Sequence, residues 1–203
     1  MFREELARHS AFLPSLSEEV VAALERHFDL LLRWNRALNL SAVRSGPEIV
    51  ERHYCESLFL AANLPAGRLT IADLGSGAGF PGIPVAVLRP DCRITLIESH
   101  RRKAVFLREA TRGMENVEVL ARRAEESEGV RFDWVVSRAV KFETISDWVR
   151  KSAGFVALLS GGERVESGVE SGGFRWSDGS RLPWGDRSFL NIGRNVSRET
   201  FAR

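Results

Sequence analysis

Residues Ile71 to Gly82 read I-A-D-L-G-S-G-A-G-F-P-G, and the architecture follows from how these twelve positions are parsed. Leu69, Thr70, Ile71, Ala72 and Leu74 make a short apolar run with β-branched members, the pattern of a buried parallel strand. Pro81 and Pro84 then suit a first helical turn, where a fixed φ helps and a missing N–H costs nothing. Strand, tight glycine turn and helix start together present bare backbone to a nucleotide-like ligand.

The glycines admit two spellings. Asp73, Gly75, Gly77 and Gly79 give D-x-G-x-G-x-G directly off the strand. Gly77, Gly79 and Gly82 give the dinucleotide pattern G-x-G-x-x-G, but that spelling starts too far beyond the strand end. Counted from Gly75, the dinucleotide pattern needs glycine at position 80, where Phe80 would obstruct a pyrophosphate. Alternating glycines after an acidic strand end instead resemble motif I of the class I S-adenosyl-L-methionine (SAM) methyltransferases. The same glycines could also serve a tight turn alone, through their tolerance of positive φ.

With 203 residues, one domain plus an extension is expected. The 44% hydrophobic and 28% charged content is that of a soluble globular chain. The opening M-F-R-E-E-L-A-R-H-S carries acids and no sustained apolar run, and no signal peptide or membrane span follows, so a cytoplasmic protein is expected. Cys55 and Cys92 stand alone, without C-x-x-C or histidine at ligand spacing, so reduced core thiols and no metal site are expected. The net charge is only +2, with arginine dominating the basic residues. Arginine suits phosphate, but biased codon supply explains the same excess.

The first third reads as helical. Ser15 and Glu18 spell a capping box, and Val20, Val21, Leu24, Phe28, Leu31, Leu32 and Leu38 continue one apolar face. Asn39 to Pro47 breaks it, and a second helix is expected from Pro47 to Ala62. Beyond L-P-A-G at 64–67, strands are expected at 93–98, 116–120, 132–137 and 154–159. Helices are expected at 101–111 and 142–151, with a short turn or helix at 124–127. This alternation predicts a doubly wound, mostly parallel α/β sheet. The segment 160–186 shows no period, and 187–192 reads as a last, antiparallel strand at or near the edge.

Glu98 ends the second strand, 23 residues after Gly75. That is about the ~20-residue spacing at which a carboxylate meets ribose hydroxyls; a solvated strand-end glutamate is the alternative. Asp73, at an inner strand end, needs donors if buried, which either the turn or the methionine part of SAM could supply. Ala124 and Glu125 follow the third strand, where main-chain groups can read an adenine edge. Ser137 and Arg138 follow the fourth and face the crevice above the strand ends. A buried arginine there requires a carboxylate or an anionic ligand.

Several segments together resemble the RsmG (GidB) family, the bacterial small-subunit rRNA guanine-N7 methyltransferases. They are W-N-R-A-L-N-L-S-A-V-R (34–44), R-H-Y-C-E-S-L (52–58), D-L-G-S-G-A-G-F-P-G-I-P (73–84), R-P (89–90), L-I-E-S (96–99), K-x-x-F-L-R (103–108), R-A-E-E (123–126) and S-R-A (137–139). The resemblance implies a class I, Rossmann-like, seven-stranded methyltransferase domain over 67–203, with an N-terminal helical extension over 1–66 packed on it. It implies SAM held around Asp73, Gly75, Ser76, Gly77, Gly79, Phe80, Glu98, Ser99, Ala124, Glu125 and Arg138. The implied substrate is small-subunit (16S) rRNA or the 30S particle, met by a monomer through Asn39, Arg44, Arg52 and His53, with Ser57 near the mouth. Three positions depart from the family pattern: Glu56 for the usual aspartate, Glu98 as the acid of L-[DE]-S, and Ser160 where lysine is usual.

Guanine N7 carries a lone pair and no proton, so no general base is assigned. His53 and Arg138 are candidates for orienting roles, and a plain helix-face histidine is the alternative for His53. Arg33, Arg36, Arg44 and Arg52 could meet RNA phosphate, or, with Glu48 and Glu51, form a solvated mixed-charge face. Two other functions compete with rRNA methylation. One is a SAM methyltransferase with another substrate; the other is a catalytically weak ribosome- or RNA-binding module keeping the cofactor fold.

Overall fold

The computed structural model describes residues 1–197 except Glu128, Ala139, Glu163 and 185–187. Two helices open the chain, α1 (Phe2–His9) and α2 (Glu18–Leu38). The α2 cap is Ser17, whose hydroxyl accepts from Val20 N at 3.4 Å, and not Ser15 of the expected capping box. Leu16 and Val21 stand at the positions of a hydrophobic staple around Ser17, and both pack on the core, which fixes the helix start. Asn39 then ends α2 in the left-handed region, φ 47°.

The second expected helix is one continuous helical run in three pieces. These are α3 (Gly46–Ile49), a π-helical segment (Val50–Cys55) carrying Arg52 and His53, and α4 (Glu56–Ala62). A π segment widens the backbone turn and re-aims side chains, and such segments recur at functional sites. Buried Ser57 donates its hydroxyl to the His53 carbonyl, so its visible role is to hold this stretch of helix.

The sheet begins with β1 (Thr70–Leu74), followed by α5 (Gly82–Leu88), β2 (Arg93–Ile97), α6 (Arg101–Ala110) and β3 (Val117–Leu120). A single 3-10 turn (Ala124–Ser127) leads to β4 (Phe132–Arg138), α7 (Phe142–Ser152) and β5 (Ala153–Gly161). The last strands are β6 (Glu170–Ser171), β7 (Phe174–Trp176), β8 (Ser180–Arg181) and β9 (Ser188–Asn195). Strands β1 to β5 are parallel in the order 3-2-1-4-5, and β9 joins β5 antiparallel.

Among the described residues the sheet has nine strands, not the expected seven. The antiparallel strand also lies inside it, because β7 pairs with the other edge of β9 and β6 closes that side. Of the expected strand at 187–192, position 187 lies outside the described residues. The segment without a period supplies β6, β7 and β8. Phe174 and Trp176 alternate inward from β7 against Phe142 of α7, at ring separations of 5.8 and 5.0 Å.

Two apolar layers flank the sheet. On one face Ile71, Ile94, Val136 and Leu190 share a continuous cluster with Leu24, Phe28, Tyr54, Leu58 and Phe106 from the helices. On the other, Ala72, Leu74, Val135 and Val156 pack with Trp148 and Val149 of α7. The N-terminal helices are thus part of the main core. Among the described residues no helix is long and apolar enough to cross a membrane. Strand order reverses between β1 and β4, which leaves a crevice above their C-terminal ends.

Candidate active site

The glycine turn occupies that crevice. Gly75 N and Ser76 N both donate to the Ile97 carbonyl, at 2.9 and 3.2 Å, tying the turn to the end of β2. Its glycines divide by task. At Gly79, φ +89°, a Cβ would stand 2.4 Å from Ile83 Cδ1, so this glycine lets α5 pack beneath the turn. At Gly77, φ +56°, a Cβ would meet nothing nearer than the Gly75 carbonyl at 3.7 Å. Its free side is open to a cleft of about 310 Å³ lined by Gly75 to Ala78, Phe80, Arg138, Arg52, His53 and Leu40 to Val43. Turn, β4 end and N-terminal helices meet there.

Glu98 joins the turn from β2. Its carboxylate accepts from Gly77 N (2.9 Å) and His100 N (2.7 Å), using two of about four lone-pair directions and leaving the others for hydroxyls. Ser99 is exposed beside it. Ala124 is buried in the α7-side layer and Glu125 is exposed; both lie beyond the β3 end and outside the cleft. The Phe80 ring turns into an aromatic cluster, with centroids 4.9 Å from His53 and from Tyr54. The ring is therefore a joint between turn and helices as well as a cleft wall.

Asp73 is fully buried. One carboxylate oxygen accepts from Gly82 N at 2.9 Å, holding the start of α5, and the other has no partner among the described residues. Burial raises its pKa to about 7, opposed by the Gly82 hydrogen bond, with Glu98 adding to the rise. A raised acid keeps its proton in the folded state where the unfolded chain has lost it, so stability falls as pH climbs from about 4 to 7. Asp73→Asn is expected to remove that slope. Its stability relative to the parent should improve by up to about 4 kcal/mol between pH 4 and 8. Parallel thermal-denaturation curves for the two proteins across that range would contradict this.

A family model described as "GidB: rRNA small subunit methyltransferase G" matches residues 20–171. The chain belongs to the GidB family. A ribosomal RNA small subunit methyltransferase G from Neisseria gonorrhoeae is 39% identical over 160 residues, covering 75% of this chain and 76% of the relative. One from Nitrosospira multiformis is 43% identical over 164 residues, covering 78% and 70%. Solved structures share the fold at low identity. A SAM-dependent methyltransferase from Aquifex aeolicus aligns over 74% of this chain and 94% of its own, with TM-score 0.56 and 16% identity. Aeropyrum pernix fibrillarin, solved with natively bound SAM, aligns over 68% and 72%, with TM-score 0.53 and 18% identity.

In this GidB-family chain the cleft is braced by polar groups that the sequence did not connect. Arg138 Nε lies 3.4 Å from Glu56 Oε2, and Arg138 also donates to His53 Nδ1. Glu56 further accepts from Ser188 Oγ at 3.1 Å. Burial raises the Glu56 pKa, opposed by Arg138 and Ser188. His53 Nε2 meets Ser41 Oγ at 2.7 Å, and that oxygen also accepts from Val43 N at 3.1 Å. Arginine can only donate, so His53 Nδ1 is an acceptor and the ring proton sits on Nε2. Burial, reinforced by the Arg138 charge, pushes His53 down to about 3 and keeps it neutral.

Ser41 and Asn35 are site-building residues that the motif reading passed over. Asn35 bonds both backbone groups of Ser41, accepting from its N–H (2.9 Å) and donating to its carbonyl (3.2 Å), which fixes the loop over the cleft. Both stand inside W-N-R-A-L-N-L-S-A-V-R, so the motif marked them without assigning them. Asn39 and Arg44 bond each other at 2.9 Å on the exposed rim. Arg52 pairs with Glu48 at 3.0 Å, which favours the mixed-charge alternative for that residue. Arg33 and Arg36 are exposed and have no carboxylate partner among the described residues. Ser160 Oγ accepts from Asn191 Nδ2 at 2.9 Å beside a larger cavity of about 850 Å³ over the ends of β4 and β5.

Proposed function

We propose that this chain transfers a methyl group from SAM to N7 of a guanine in 16S rRNA. One observation carries the reading: in a GidB-family chain, a single cleft joins the open side of Gly77 to Arg138, His53 and the Leu40–Val43 loop. The site fits SAM on its own geometry. Gly77 leaves room for close approach, Glu98 keeps free lone pairs for ribose hydroxyls, and the unpartnered Asp73 oxygen lies behind the turn. Ser99, beside Glu98, borders the adenosine end of this arrangement, and Gly75, Ser76 and Phe80 its methionine end, while Gly79 shapes the turn from beneath and Ala124 and Glu125 stay outside the cleft.

Bound SAM supplies an electrophilic methyl on a sulfonium sulfur. The chain's own contribution is positioning, since N7 attacks through a lone pair and releases no proton. His53 takes no proton, because both its nitrogens are engaged and its ring is held neutral. Arg138 and His53 orient the cleft wall. Arg44, with Asn39, lines the approach for RNA on the exposed rim, while Arg52 is held by Glu48. The target base is presented from a single-stranded loop or by flipping. The N-terminal extension (1–66) and methyltransferase domain (67–203) act together on the 30S particle as a cytoplasmic monomer.

Because His53 changes charge near pH 3 and not near 6.5, the methylation rate is expected to show no His53 step between pH 5 and 8. An inflection near pH 6.5 that vanished in His53→Asn would contradict this. The function itself is tested on small subunits from cells lacking this protein, with SAM and mass spectrometry of the rRNA. One new 7-methylguanosine is expected. SAM binding without that product would point to another substrate, and no SAM binding at millimolar concentration would leave only a binding module.

A further inference from the structure

His27, in the middle of α2, reaches the glycine turn from the side opposite the cleft. It lines the groove between α2, α5 and α6 and does not line the cleft itself. Its Nε2 lies 3.0 Å from the Ala78 carbonyl oxygen, and its Nδ1 lies 2.8 Å from the Tyr54 hydroxyl. A carbonyl only accepts, so the ring proton is on Nε2, and Nδ1 must accept from the tyrosine. Burial holds this state, pushing His27 down to about 4 and raising Tyr54 well above its ordinary value. The imidazole is packed by Phe80 and Phe106, at centroid distances of 5.2 and 6.0 Å.

The Ala78 carbonyl and the Gly79 N–H belong to one planar peptide unit. His27 holds its oxygen, and the Ser76 carbonyl holds its N–H at 2.7 Å. The plane is therefore fixed at both ends, inside a turn whose three glycines could otherwise adopt many conformations. Gly79 belongs to the same arrangement, because a Cβ there would stand 3.4 Å from His27 Nε2.

We propose that His27 is the positioning residue of the cofactor turn, with Tyr54 fixing its tautomer, and that the pair sets the affinity for SAM. The inference rests on the assignment of the Gly75–Gly79 turn to SAM. Holding the Ala78–Gly79 peptide presents the cleft-facing Gly77 in its binding conformation before the ligand arrives, which removes an ordering cost from binding. Neither residue needs to touch the ligand.

The test combines SAM calorimetry with steady-state kinetics on small subunits, well below the melting temperature of every variant. His27→Phe keeps an aromatic ring but no donor, and should weaken SAM about tenfold. It should raise KM for SAM and leave KM for the subunit unchanged. His27→Gln can donate to Ala78 and accept from Tyr54, and should recover affinity to within about threefold. Tyr54→Phe should weaken SAM about threefold, and it carries the test should His27→Phe fail to fold. Lower melting temperatures with parental SAM affinity in these variants would overturn the inference and reduce the pair to core packing. A parent protein that bound no SAM would instead overturn the assignment of the turn, and this inference with it.

Discussion

Gly77→Val is expected to abolish SAM binding while leaving a folded protein. Two costs fall at this position, and they differ in kind. A β-branched residue at φ +56° is strained, by about 1–3 kcal/mol. In a chain of 203 residues that lowers the melting temperature by roughly 2–12 °C. The protein interior adds little to this, since the nearest atom to a Cβ is 3.7 Å away. The side chain instead enters the cleft, in the space assigned to the cofactor. Calorimetry should show affinity reduced at least about 100-fold, roughly 2.7 kcal/mol. Gly79→Val provides the contrast, because its Cβ would meet Ile83 at 2.4 Å and its main cost should fall on folding. Unchanged SAM affinity in folded Gly77→Val would remove the turn from the binding site.

The difference between these two glycines shows what the sequence could and could not convey. D-x-G-x-G-x-G located the turn, and the apolar run through Ile71, Ala72 and Leu74 located the first parallel strand, because burial on both faces leaves a continuous signal. Which glycine faces a ligand and which faces Ile83 depends on α5, so the spelling could not say. Phe80 illustrates the same limit. As a letter it excluded a dinucleotide pattern; in the fold its ring packs with His27, His53 and Tyr54, residues drawn from two other helices. Strand β7 escaped notice because three residues between a Gly-Gly pair and a serine are too few to show alternation. The need of a buried arginine for a partner was legible from chemistry alone. That Arg138 reaches His53, 85 positions earlier, was not.

Arg138→Leu is the second change with a large expected effect, because it separates stability from catalysis in one pair of residues. The guanidinium is the only group bonding both His53 Nδ1 and Glu56 among the described residues. Removing it leaves a buried carboxylate without its cation, a loss of about 3–5 kcal/mol where the carboxylate stays ionised. Glu56 already has a raised pKa through burial, and loss of the cation raises it further. A raised acid binds its proton in the folded state, so the variant's stability should decline as pH climbs from 5 to 8, more steeply than the parent's. Adding Glu56→Gln removes the buried charge and should restore much of the stability at pH 8. It should not restore methylation, since the cleft wall still lacks Arg138 and His53 still lacks its donor. The double variant is therefore expected to melt near the parent at pH 8 while kcat/KM on small subunits stays at least about 100-fold lower. If the double variant regained methylation together with stability, Arg138 would serve only to neutralise Glu56. If Arg138→Leu melted like the parent at pH 8, the pair would not be the brace that joins the N-terminal helices to β4.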